Sequence, residues 1–215
     1  MREIHKRRKR NFREVLLNHI LDNLKFYIIV IIILIIGIVA GILFINNINS
    51  EQITEIQGYI NGFVNTLKEG NAIDKTALLK KSLGDNLILI VTMWFIGSTV
   101  IGIPIILGIV LFRGFCLGYT VSAIIGTMGV QNGILLTLSA VLLQNLIFIP
   151  VILCMAVSCI KLYKSIMKDK RRENIKIEII RHTIISIVLF LALIVSSLIE
   201  TYISSEIIML TVKIL

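Results

Sequence analysis

Residues 86–160 read NLILIVTMWFIGSTVIGIPIILGIVLFRGFCLGYTVSAIIGTMGVQNGILLTLSAVLLQNLIFIPVILCMAVSCI and carry a single charged side chain, Arg113. A water-exposed surface this apolar is insoluble, and a soluble core seldom runs so far without a polar break. Lipid is the solvent that suits it. The stretch therefore sets the fold class: an all-α, polytopic membrane helix bundle.

The rest of the chain agrees. Of 215 residues, 56% are hydrophobic and 16% are charged, against about a quarter charged in an ordinary soluble domain. The net charge is +9, but the excess sits in short blocks beside apolar spans. That distribution belongs to a protein whose basic flanks set its topology, and it argues against nucleic acid as a partner. The cysteines, Cys116, Cys154 and Cys159, all lie in apolar segments without metal-ligand spacing, and read as small core residues with no disulfide.

Five spans are expected, in one integral membrane domain covering 1–215, with an external helical segment. The first is about 26–45, twenty residues without a charge and hence about 30 Å of helix at roughly 1.5 Å per residue. Its basic flank, 1–25, is either a short amphipathic surface helix or a solvated positive segment. The run exceeds a typical signal-peptide core, so an uncleaved anchor is expected. Gly37 and Gly41 give it a weak packing pattern.

The second span is placed at 86–112, with a kink or shortening near Pro104. Arg113 at the centre of a spanning helix costs about 2.5–3.5 kcal/mol, so it is expected on a tight turn at the membrane surface. The third span is then about 114–129. A cluster of turn residues, Gly126, Gly129, Gln131, Asn132 and Gly133, returns the chain into a fourth span at 134–160. A basic loop, 161–182, leads to a fifth span at 183–203 and a short tail. His182 is expected to cap that last span at the surface.

Residues 46–85 form the external segment. Ile53, Ile56, Ile60, Phe63 and Leu67 step by three or four, one apolar face of a helix. Asn49 or Ser50 is a possible N-cap, and Gly70-Asn71 reads as the stop. A second helix is expected from Asp74 into the next span. The apolar face either packs on the protein's own bundle, lies on lipid, or docks a partner.

Charge sets the orientation. The N-terminal segment and the 161–182 loop each carry +5, whereas 46–85 and the tail each carry −1. Five spans put both basic segments on one side, so the N-terminus is expected in the cytoplasm and the C-terminus outside.

Packing chemistry stands out within the spans. Gly114, Gly118, Ser122 and Gly126 recur every four residues, and Gly97, Ser98 and Gly102 offer small residues in the second span. Such stripes let helix backbones approach, within one chain or between chains. Gln144 and Asn145 must face protein or a polar cavity, for interhelical hydrogen bonding or a substrate path. No zinc motif, phosphate loop or nucleophile constellation is present. No Asp, Glu, Lys or His is expected in the central part of a span, so the chain reads as not an enzyme and as needing no cofactor or metal.

Asn86 in GDNLILI, Gly102, then RGFCLGY over 113–119 and LLQNLIFIP over 142–150 ahead of a basic exit resemble the stage II sporulation protein M family. The resemblance covers nearly the whole chain and is densest over 86–164. It implies an integral component of the forespore engulfment complex, in the mother-cell membrane at the sporulation septum. It also implies a scaffold for two peptidoglycan-degrading partners, stage II sporulation proteins D and P, which remodel septal wall. Ile53, Ile56, Ile60, Phe63 and Leu67 are then the candidate docking residues. The competing expectations are a small transporter or permease subunit, lined by Gln144, Asn145 and Asn132, and a regulatory subunit gripped through 161–182.

Overall fold

The computed structural model describes residues 21, 23–70, 73–99, 102–168 and 172–214. The basic flank 1–25, read as either a surface helix or a solvated segment, lies almost wholly outside them. Helices are α1 (Leu24–Asn47), α2 (Ser50–Lys68), α3 (Lys75–Gly97), α4 (Gly102–Met128) and α5 (Val130–Thr137). After a π-helical turn, Leu138–Leu142, come α6 (Leu143–Lys168) and α7 (Arg172–Leu198); a second π turn, Ile199–Ser204, leads into α8 (Ser205–Ile214). No strand occurs among the described residues.

Among the described residues, four helical stretches are long and apolar enough to cross a membrane: Leu24–Asn47, Gly102–Met128, Leu143–Met167 and Ile175–Ile214. A fifth rod, α3, packs among them. Its second half is apolar, but Lys75, Lys80, Lys81 and Asp85 stand in its first half. The protein is a multi-pass membrane protein.

Contacts between rods give their directions. Gly114 meets Leu34 and Gly118 meets Ile38, so α1 and α4 run parallel. Trp94 bonds Thr183 and Asn86 bonds Ser197, so α3 opposes α7. Ser158 meets His182 while Gln144 meets Glu200, so α6 opposes α7 as well. Thus α1, α4 and α7 point one way, and α3 and α6 the other. One end of the bundle carries α2, α5 and α8. The other carries the start of α1, the α3–α4 break and the long ends of α6 and α7.

Fully buried side chains from five rods form the main core: Val30, Met93, Ile106, Met155 and Leu193. A smaller core at the α2 end joins Val64, Leu67, Ile124, Leu136 and Val212. That second core takes in the expected short tail. From Ile175 the chain stays helical to Ile214, because Val212 has an apolar pocket to fill.

The span boundaries also need correction. The expected 86–112 helix is broken: α3 stops at Gly97 and α4 starts at Gly102. Ser98 closes α3, its hydroxyl donating to Trp94 O at 2.8 Å. Pro104 then falls in the first turn of α4, where its missing N–H would have had no helical partner anyway. The expected turn at Arg113 is absent. Arg113 lies inside α4, eleven residues after Gly102, so 102–128 is one helix and not the end of one span and the start of another. The basic stretch 161–182 is mostly the helical ends of α6 and α7.

Other boundaries fall where local chemistry put them. Gly70 takes φ +84 just past α2, and Gly129 takes φ +79 between α4 and α5, both turns that need a residue without a Cβ. Asp74 caps α3, accepting from Thr76 N at 2.9 Å and Ala77 N at 3.1 Å. Asn49 precedes α2 without a side-chain cap bond.

Candidate functional site: a polar cavity between helices

A cavity of about 1020 Å³ lies between α3 and α4, with α6 behind it. It exists because α3 and α4 meet at the Gly97–Gly102 break and diverge toward the α2 end. At the break they are tight: a Cβ on Gly102 would collide with Ile96 O, and one on Gly97 with Cys159 Sγ. Beyond the closed end, Met93, Ile106 and Met155 are fully buried and fill the bundle.

The walls are mostly apolar, but four charged side chains line the space: Lys81 and Asp85 from α3, Arg113 from α4, and Glu200 from the second π turn. Lys81 and Asp85 are exposed, whereas Arg113 and Glu200 are half-buried. The expected place of Arg113, on a turn at the membrane surface, is therefore overturned. The penalty on Arg113 assumed lipid around it. Its guanidinium instead turns inward, with Cζ 4.8 Å from the centre of the Phe148 ring. No carboxylate among the described residues comes within ion-pair distance of it.

Glu200 is held by neutral donors. Its Oε2 accepts from Ser82 Oγ at 2.5 Å and from Gln144 Nε2 at 2.7 Å. Behind it, Asn86 Nδ2 donates to Ser197 Oγ at 2.8 Å, and Ser82 Oγ lies 2.9 Å from that same hydroxyl. Ser196 Oγ donates to the Gln144 carbonyl at 3.2 Å. Three rods are thus tied by one hydrogen-bonded cluster, as buried polar groups require. Asn145, beside Gln144, donates to Val141 O at 2.7 Å, in its own helix. Both π turns border this cluster. An extra residue in a turn widens the helix and re-aims the side chains beyond it, and such turns recur at functional places.

The small-residue stripe is used in part. A Cβ on Gly114 or Gly118 would run into the carbonyl oxygens of Leu34 or Ile38, and one on Gly37 or Gly41 into those of Leu111 or Phe115. Two four-residue glycine pairs thus face each other across α1 and α4, within one chain. Ser122 is half-buried, and Gly126 meets nothing within 4 Å. The α1–α4 register would pair Gly126 with a residue at the very end of α1 or beyond it. Ser98 and Gly102 do not share a helix as expected, because the break separates them.

The apolar face of α2 is divided. Leu67 is buried in the second core and Ile60 packs partly against it. Ile53 and Ile56 are half-buried, and Phe63 is exposed. His182 does not cap a helix: it lies ten residues inside α7, buried, with Nδ1 2.9 Å from Ser158 Oγ.

Sequence reasoning missed Glu200 and Arg113 as cavity groups. The available signal was Glu200 following a Ser196-Ser197 pair on an apolar helix, a polar step that has to face protein.

The model of stage II sporulation protein M matches residues 30–205. The chain belongs to the stage II sporulation protein M family. No curated protein and no solved structure matches it. As a member of the stage II sporulation protein M family, it is a sporulation-related membrane protein, and the match takes in all five rods and the cavity.

Proposed function

We propose that the protein is a non-enzymatic membrane scaffold of sporulation, holding peptidoglycan-degrading partners for septal wall remodelling and forespore engulfment. The observation that carries this is the state of α2. The second core clamps one end of it through Val64 and Leu67, leaving Ile53, Ile56 and Phe63 without full cover. A helix fixed at one end and apolar along its free face is suited to hold another helix or a domain surface. Family membership makes the wall-degrading stage II sporulation proteins D and P the partners of choice. The mother-cell membrane at the septum is the matching location. A cytoplasmic N-terminus goes with this reading, because the start of α1 and the basic ends of α6 and α7 lie at the end of the bundle opposite α2, and positive charge favours the cytoplasmic side.

The test is Ile56→Glu in the full chain. Partners co-purify with the parent protein and are lost from this variant, while the variant still inserts in the membrane. Undiminished co-purification counts against the docking role.

The cavity favours one other reading, a small transporter or permease subunit. Gln144, Asn145, Arg113 and Glu200 border a space that an ion or polar solute could use. The filled bundle at Met93, Ile106 and Met155 opposes it, since nothing there continues a path toward the far end. Flux through liposomes that Gln144→Leu with Asn145→Leu abolishes is the result that supports transport.

A further inference from the structure

The cavity has a charge pattern that the scaffold reading leaves unused, and the inference drawn from it does not rest on that reading. Among the described residues its lining holds two cations, Lys81 and Arg113, and two carboxylates, Asp85 and Glu200. The four balance to zero, so neither an anion nor a cation alone matches the site. Positive and negative groups are both required of a ligand that satisfies it.

The mouth identifies the route of entry. Ile88 on α3 and Ile105 and Phe112 on α4 line the cavity and are also widely exposed on the outside of the bundle. The cavity therefore opens sideways between α3 and α4, through an apolar frame that lies in lipid. A water-borne solute cannot readily enter by that route, whereas an amphiphile can slide in along the bilayer. Lys81 and Asp85 stand about one helical turn apart near the α2 end, where a headgroup sits. Arg113 reaches the same space from α4, on a long side chain that can extend toward that end.

We propose that this cavity binds one zwitterionic phospholipid bearing a phosphate and a primary ammonium. Arg113 and Lys81 donate to the phosphate, which suits a guanidinium fork and an ammonium. Asp85 and Glu200 accept from the ligand's ammonium, each carboxylate having lone pairs beyond those now engaged. The acyl chains lie against Ile88, Ile105 and Phe112. A lipid with a trimethylated headgroup lacks the N–H donors the carboxylates require, and an anionic lipid leaves both carboxylates facing negative charge.

The experiment uses the delipidated full chain. Native mass spectrometry follows retention of added phosphatidylethanolamine, phosphatidylcholine or phosphatidylglycerol, with free phosphoethanolamine as a separate addition. The expected result is one phosphatidylethanolamine per chain, retained about tenfold over either other lipid, as loss of a charge-assisted hydrogen bond implies. Arg113→Gln and Asp85→Asn each abolish that preference. The wild-type competition among lipids stands alone if a variant fails to fold. Equal or better retention of phosphatidylglycerol overturns the proposal, as does a preference unchanged in both variants, which makes Arg113 and Asp85 a water-bridged pair only. Free phosphoethanolamine competing as strongly as the lipid assigns the site to a soluble zwitterion and also overturns it.

Discussion

Single glycines carry the close approach of α1 and α4. Gly118 sits against Ile38 O and Gly114 against Leu34 O, so a side chain at either must push two backbones apart. Gly118→Val is expected to destabilise the bundle by about 1–3 kcal/mol or more, the usual cost of overpacking. Gly126→Ala meets open space and is expected to be neutral or to stabilise by up to about 1 kcal/mol through helix propensity. Thermal unfolding in detergent measures both, and equal losses at the two positions refute the crossing described. Ser197→Ala removes the hydroxyl that takes the Asn86 amide. It should cost about 1–3 kcal/mol, the penalty for a buried polar group left without its partner. Gly114 and Gly118 were legible in sequence because small residues four apart have one physical use in lipid. Arg113 was not, because its cost depends on which neighbours surround it, and Phe148 and Asp85 come from distant parts of the chain.

At the level of elements, α2 and α8 depend on each other. Val212 is fully buried among Val64, Leu67, Ile124 and Leu136, and Lys75 forms an ion pair with Glu206 across the same region. The exposed ion pair adds little beside the apolar contact. Truncation after Ser204 is expected to free α2, so that its amides exchange with solvent markedly faster while those of α4 and α6 stay protected. Unchanged protection of α2 means the tail does not hold it. The stops at Gly70 and Gly129 and the cap at Asp74 could be read directly, since turn and cap chemistry is local. The join of 102–112 to 114–128 could not. A helix continues through a charged residue when that residue faces a cavity, and only the arrangement of the other rods shows that it does.

For the whole molecule, alternating apolar runs and basic flanks were enough to identify a bundle of about five rods. Hydropathy reports transfer into lipid and needs no partner to be specified. The cavity needed more, because divergence of α3 from α4 arises from packing at Gly97 and Gly102 against Cys159 and Ile96. Orientation comes from charge, and it can be checked by labelling single cysteines in intact cells. Tyr59→Cys is expected to react with a membrane-impermeant reagent, and Lys176→Cys only after permeabilisation; the reverse pattern inverts the protein and places α2 among cytoplasmic partners.

The role proposed for the free face of α2 is to hold wall-degrading proteins outside the membrane. A photo-crosslinker placed at position 56 or 63 in sporulating cells tests that role. Covalent capture of a peptidoglycan-degrading protein is expected from both positions and none from position 67, which is buried in the second core. Capture from position 67 alone, or crosslinks from 56 and 63 only to lipid or to this chain's own helices, contradicts it.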